Sequence, residues 1–337
     1  MQDASSEADR ERRPRLTPPI ADTRRAVRDG FIGLPPDALV LVALSGGADS
    51  LALAAATAFE APRAGLRAGA VVIDHGLQHG SADAAERAAA AARDLGLDPV
   101  IVRRVGVGAD GGPEAAARDA RYAALQAIAA ELDAAAVFVG HTLDDQAETV
   151  LLGLARGSGP SSLRGMAPVN GLWRRPLLGI HRAETAAACH HLGLQFWTDP
   201  QNADPTFARV RVRESVLPLI ELELGPGIAE ALARTAEQLR EDDDALDHMV
   251  EEVAEDLAEH VDGGIALPAA ALVANPPAIR HRLIRLAAHA EFGVSLTRTQ
   301  TLEVARLATH WRGQGEVHLP GIRVDRVDGL IRFIAAI

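Results

Sequence analysis

The chain contains no lysine: every one of the 34 residues in its Lys+Arg count is arginine. A Walker A phosphate loop, whose lysine reaches the β- and γ-phosphates, is therefore excluded. Cysteine is nearly absent too. Cys189 is the single one in 337 residues, so there is no internal disulfide and no paired-cysteine redox or cluster site. The run Cys189-His190-His191 is not a metal site either, because three consecutive residues of a helix cannot converge on one ion. No apolar run approaches the ~20 residues of a membrane span. The opening MQDASSEADRERRPRLTPP has no apolar stretch of a signal peptide. Residues 1–19 read as a disordered leader, and the protein as cytoplasmic with no membrane partner.

What is present suits two globular domains. Hydrophobic residues make up 48% of the chain and the net charge is −12. The acidic excess is local, lying between Glu221 and Asp262 with Glu241-Asp242-Asp243-Asp244 at its centre. Outside that stretch the chain is close to neutral, so an arginine-lined face for a polyanion remains available.

The organising stretch is ALVLVALSGGADSLALAAATA, residues 38–58. Leu39 to Leu44 reads as a strand buried on both faces, and Leu51 to Ala58 as a helix. Ser45, Gly46, Gly47, Ala48, Asp49 and Ser50 form the turn between them. A sharp strand-to-helix turn aims backbone N–H groups and the positive end of the helix dipole at one spot, which suits phosphate. The glycines permit positive φ and close approach, and the two hydroxyls are donors. Asp49 repels phosphate unless a divalent cation lies between them, so it predicts Mg²⁺. Gly106 to Gly111 also matches GxGxxG, but Pro113 opens the next helix, so the third glycine falls in the loop and the segment reads as flexible.

Further strands are expected at Gly69–Ile73, Pro99–Val105 and Ala135–Val139, alternating with helices at Ser81–Leu95 and Pro113–Leu132. That order implies an α/β fold, a Rossmann-like parallel sheet with helices on both faces. Ligands of such sheets sit at the carboxyl ends of the strands, where Ser45, Asp74-His75 and Gly140-His141 all fall. Asp144, Asp145 and Glu148 follow His141 on the next helix. Asp145 and Glu148 are three apart, Asp144 and Glu148 four apart, hence on one face. Like charges so placed call for a cation: Mg²⁺ on ATP or the ammonium of an amine substrate. Acids in a first helical turn also complement the dipole, but that does not account for His141 beside them.

At these residues the chain resembles a family. SGGADS after the first strand is similar to the signature of the PP-loop, or N-type, ATP pyrophosphatases. GHTLDDQAETVLLGLARGSGPSSLRGM, residues 140–166, resembles the corresponding block of the tRNA(Ile)-lysidine synthetases. DHGLQ at 74–78, ARDARYAAL at 117–125, RPLL at 175–178 and WTDPQNADPTFARVRVRESVLP at 197–218 support the match, which is strong over residues 20–220. The resemblance implies ATP-dependent attachment of free L-lysine to C2 of the wobble cytidine in a CAU-anticodon tRNA(Ile), through an adenylylated cytidine. It implies that Ser45 to Ser50 hold ATP, that Asp49 places Mg²⁺, and that Asp74 and His75 frame the adenine. Arg118 and Arg121 would touch phosphate of ATP or tRNA. Asp145 and Glu148, with Asp144 beside them, would grip the lysine ammonium, and His141 would adjoin the reaction centre. Arg209 and Arg211 would meet tRNA, and Arg213 lies in the same segment. Thr142 stands where many members carry a second histidine. The alternatives are a thiolase of the same superfamily, which the lone cysteine opposes, and a non-catalytic ATP-binding module, which has no use for the three acids.

The expected domains are the PP-loop unit at 20–222, an acidic helical linker at 223–262, and a C-terminal tRNA-binding unit at 263–337. In the last, helices are expected at 276–291 and 296–310, then strands at 316–319, 322–327 and 330–334 with Asp328-Gly329 as a turn. Arg280, His281, Arg282, Arg285, Arg298 and Arg312 give it a basic side. A homodimer is left open.

Overall fold

The computed structural model describes residues 16–76, 80–106, 113–157, 159–197 and 204–336. Most of the expected leader, the GxGxxG loop from 107 on, the end of DHGLQ and residues 198–203 lie outside the described residues.

The chain divides into two compact units, residues 1–237 and 238–337. In the first, the strands are β1 (Leu39–Ala43), β2 (Arg67–Asp74), β3 (Val100–Arg104), β4 (Ala134–Val139), β5 (Val169–Asn170) and β6 (Trp173–Arg174). They form one sheet in the order β3-β2-β1-β4-β6-β5. All neighbours are parallel except the edge strand β5. β1 is central and carries the phosphate turn at its carboxyl end.

Its alternation explains the layers. Val40 and Val42 face one apolar core, shared with α1 (Pro18–Gly30), α2 (Ala48–Glu60) and α3 (Ser81–Asp94). Leu39 and Leu41 face another, with Leu125, Ile128 and Ala129 of α4 (Pro113–Glu131). A strand covered on both faces needs apolar residues at every position, and LVLVA supplies them. The remaining helices of this unit are α5 (Leu143–Ala155), α6 (Pro160–Leu163), α7 (Arg182–Leu192), α8 (Ala208–Arg211) and α9 (Leu217–Leu224). A π-helical turn, Val212–Val216, joins the last two.

α10 (Ile228–Leu257) contributes to both units. Its second half is amphipathic: Leu246, Val250, Val253, Ala254 and Leu257 recur at helical spacing and pack into the core of the second unit. Most of its acids are exposed, but Asp243 is buried and pairs with Arg282 of the same unit. The helix stops at Leu257, short of the end of the acidic helical linker expected to 262, because Glu259–Val261 (β7) pairs with Gly264–Pro268 (β8) across an Asp262-Gly263 turn. That Asp-Gly pair is a hairpin signal the acidic composition masked. α11 (Ala269–Ala274), α12 (Pro277–Phe292), α13 (Arg298–Thr309), β9 (Val317–Leu319), β10 (Ile322–Val327) and β11 (Leu330–Ala335) complete the unit. Its antiparallel sheet runs β7-β8-β11-β10-β9.

Candidate active site

The phosphate turn is built as its residue types require. Gly46 has φ +83, a conformation that L side chains rarely adopt, and its carbonyl accepts from the Trp197 N–H at 2.9 Å. The Ser45 N–H donates to Ser50 Oγ at 3.1 Å, and the two serine hydroxyls are 3.0 Å apart. Ser50 Oγ donates to the Gly47 carbonyl at 3.0 Å. The hydroxyls therefore brace the loop. α2 begins at Ala48, earlier than expected, which puts Asp49 in the first helical turn. Gly140, at the end of β4, fixes the neighbouring wall: a Cβ there would stand 3.1 Å from the Ser50 nitrogen and 3.2 Å from the Asp49 carbonyl carbon.

Across the crevice, Thr142 caps α5. Its hydroxyl accepts from the Asp145 N–H at 3.4 Å, while Asp145 Oδ2 accepts from the Thr142 N–H at 2.8 Å. Asp145 thus plays the local capping role that competes with a functional reading, but only one of its oxygens is engaged there. Oδ1 takes Arg182 Nη2 at 2.9 Å. Glu148 is 0% exposed and is gripped by Arg213 at 2.7 and 3.1 Å, by Arg209 at 2.8 Å and by Arg182 at 3.3 Å. Arg209 and Arg213, four apart on α8 and the π turn, share one face.

Where a substrate ammonium is expected at Glu148, the structure has the chain's own arginines. The cation that the acid cluster calls for is supplied by the chain itself, from three arginines, and no face of Glu148 is left over. A carboxylate taken out of water must be paired or protonated, and three guanidiniums are the pairing. Asp144 is 31% exposed, accepting from the Arg182 N–H at 2.8 Å with the His181 ring 3.7 Å away. Asp49 is 24% exposed, held by the Thr185 hydroxyl and lying 3.6 Å from Arg182 Nε. Arg182 itself was not singled out by sequence. It opens α7 after the Pro-Leu-Leu-Gly turn, and nothing in that pattern marks it as more than a helix-start arginine.

The electrostatics follow the burial. Burial pulls the Asp145 carboxyl up, but Arg182, the Thr142 N–H, Arg209 and His141 together hold it below the usual range. Burial raises Asp49, against the Thr185 hydrogen bond and Arg182. His141 is pushed down to about 3, first by burial and then by Arg175, Arg121 and Arg118 against the pull of Asp145. Its imidazole is neutral. Burial also lowers His75, with Arg121 adding to it.

The other expected residues divide. Arg121 Nε, His75 Nδ1 and His141 Nδ1 are buried with no hydrogen-bond partner among the described residues. Unpartnered buried polar atoms of this number fit a polar ligand. Arg118 is exposed, 5.0 Å from the Tyr122 ring centre. Asp74 accepts from the Gly76 N–H at 2.9 Å and lies 3.9 Å from Arg104. Arg211 is not part of the cluster: it is exposed and donates to the carbonyls of Pro205 and Thr206 at 2.7 and 2.8 Å. No group of three or more His, Cys, Asp or Glu residues suited to a metal occurs among the described residues. Asp49 alone fits Mg²⁺, which binds through one or two carboxylates plus substrate phosphates.

In the second unit the basic side is narrower than expected. Arg282 is bound to Asp243 and Asp247 of α10 and serves packing. Arg280, Arg285 and Arg298 lie close enough to His281 to lower its basicity after burial has done so, and Arg312 is exposed.

Residues 23–220 match the model of the PP-loop domain, and residues 267–331 that of the TilS substrate binding domain. The tRNA(Ile)-lysidine synthase of Leifsonia xyli subsp. xyli is 62% identical over 301 residues, 89% of this chain and 91% of that protein. The tRNA(Ile)-lysidine synthase of Thermobifida fusca is 54% identical over 312 residues, 92% of this chain and 95% of that one. Among solved structures, the U34-tRNA thiolase NcsA from Methanococcus maripaludis, with its 4Fe-4S cluster, has a TM-score of 0.54 at 20% identity, covering 66% of this chain and 80% of that chain. That last likeness is one of fold.

Proposed function

This chain belongs to the tRNA(Ile)-lysidine synthase family, and on that footing we propose its reaction: ATP-dependent ligation of free L-lysine to C2 of the wobble cytidine in a CAU-anticodon tRNA(Ile). The cytidine O2 attacks the α-phosphorus of ATP and pyrophosphate leaves. An amine of lysine then attacks C2, gives up a proton, and AMP departs with the former O2. Adenylylation turns a poor leaving group into a good one, so the protein's task is placement and charge stabilisation.

The observation that carries this reading is that Arg182 touches both the carboxylate of the phosphate turn and the acid patch of α5, at 3.6 Å from Asp49 and 2.9 Å from Asp145. One crevice thus has a seat for polyphosphate and a seat for an amine within a side chain's width. The backbone N–H groups after Gly46 suit phosphate oxygens, and Asp49 is the residue that would hold Mg²⁺ beside them. When bound, that ion neutralises charge on the departing pyrophosphate. Arg121 and the neutral imidazoles of His75 and His141 line the wall, where their unpartnered nitrogens suit the nucleotide or the cytidine. Asp144 and Asp145, whose oxygens are less fully taken than those of Glu148, orient the amine and accept its proton. Glu148 holds Arg209 and Arg213 in place.

The second unit presents Arg280, Arg285 and Arg298 to tRNA phosphates, which give affinity rather than sequence readout. No helix of the described residues is long and apolar enough to cross a membrane, consistent with action on tRNA in the cytoplasm. A sulfur-inserting reading meets a specific obstacle: Cys189 is the single cysteine of the chain and is buried, so no set of thiolates is available to hold a cluster.

Incubating the protein with ATP, labelled lysine and a CAU-anticodon tRNA(Ile) transcript tests the reading. Transfer of label into RNA with release of AMP and pyrophosphate is expected. ATP binding without transfer would favour the non-catalytic module.

A further inference from the structure

We propose that Arg182 is a positioning residue that divides the crevice electrostatically, standing as a positive charge between the phosphate-side carboxylate Asp49 and the amine-side carboxylates Asp144 and Asp145. The inference rests on the ATP and lysine reading above and adds to it the residue that keeps the two seats distinct.

Four carboxylates, Asp49, Asp144, Asp145 and Glu148, meet three guanidiniums, Arg182, Arg209 and Arg213, leaving one net negative charge. Arg209 and Arg213 are committed to the α5 side: their ion pairs are with Glu148, and for Arg213 also Asp145 at 3.7 Å. Among the described residues, the guanidinium paired both with Asp49 and with the α5 acids is Arg182. Its placement is stiff. Its own N–H is tied to Asp144 Oδ2 at 2.8 Å, and one turn along the same helix Thr185 holds Asp49 Oδ1. The first turn of α7 therefore reaches all four carboxylates, and the charge that separates them stands on that turn.

The consequence is a pair of effects of opposite sign. Neutralising Arg182 makes the acid side more attractive to a cation and the turn less attractive to an anion. A unit charge lost about 4 Å from a ligand changes its affinity by about fivefold even in bulk water, and by more in a site of lower dielectric. General damage to the site would weaken both ligands together.

The test uses the full-length chain as wild type, R182Q and R182K. Dissociation constants for Mg-ATP and for L-lysine are measured separately by calorimetry, alongside the melting temperature. R182Q keeps hydrogen-bonding capacity without charge, and Glu148 retains Arg209 and Arg213, so the fold is expected to survive. Expected are weaker ATP binding and tighter lysine binding in R182Q, with R182K returning both towards wild type. Weakening of both ligands, no change in either, or an unfolded R182Q would overturn the proposal and make Arg182 a packing residue. Should wild type bind ATP but give no heat with lysine, the amine step of the proposed reaction fails, while the ATP arm still reports on Arg182.

Discussion

Glu148 and Arg213 form the tightest ion pair of the crevice, with the carboxylate wholly buried and both its oxygens within 3.1 Å of the guanidinium. An acid in the second turn of a catalytic-looking helix has become the anchor for the segment that follows α7. Removing it leaves Arg209 and Arg213 without their main partner. Glu148→Gln should cost about 3–5 kcal/mol of stability, the usual penalty for breaking one side of a buried pair. Denaturant unfolding would read that loss, and thermal melting a fall on the order of 10 °C.

Asp145 is different, because one oxygen serves the α5 cap and the other faces Arg182. Asp145→Asn keeps the shape and loses the charge. A stability loss of about 1–2 kcal/mol is expected from the weakened cap and pair. Lysine transfer, measured in the labelled-lysine assay, should fall at least about a hundredfold, as for other groups that act directly on the reacting atoms. A variant with full transfer would remove Asp145 from the chemistry.

Gly140 stands too close to the phosphate turn to bear a side chain. Gly140→Ala places a methyl group 3.1–3.2 Å from the backbone of Asp49 and Ser50, and the turn has to give. Overpacking of this kind costs about 1–3 kcal/mol. ATP affinity, measured by calorimetry, should drop by about tenfold or more while the melting temperature falls only modestly, because the displaced groups belong to the ligand cradle.

His141 has a clear pH signature. Its pKa lies near 3 in the folded chain, against about 6.5 when unfolded. Between those values the unfolded chain binds the extra proton, so stability falls as pH drops from about 6.5 towards 3, by up to about 1.4 kcal/mol per pH unit. The contribution is constant above neutrality. Unfolding free energy followed from pH 7 to pH 4 should fall less steeply in His141→Asn than in wild type. Asp145 loses stability in the same acidic direction, so the difference between the two proteins, not the slope of either, isolates the histidine.

Arg280 and Arg298 test the second unit. Replacing either by glutamine should weaken tRNA binding across sequences and reduce the slope of log affinity against log salt by about one. Filter binding at several salt concentrations would measure it. Arg282→Gln should instead lower stability, since its partners are Asp243 and Asp247.

The sequence by itself determined the parallel α/β sheet, the central strand and the phosphate turn. Those features are local: an unbroken apolar run specifies a strand covered on both faces, and Ser-Gly-Gly specifies a turn whatever surrounds it. It also placed His141, Asp144, Asp145 and Glu148 on one element at the sheet's carboxyl edge. What it left open was which cation those acids meet, because Arg182, Arg209 and Arg213 are 34 to 65 residues further along. In a chain with no lysine and 34 arginines, no single arginine stands out. Only the packing of α7 and of the π turn against α5 decided that Glu148 is sealed by the protein's own guanidiniums while Asp49 and Asp144 keep a face to the crevice. A buried carboxylate takes the nearest desolvated cation, and which one is nearest is a property of the folded chain.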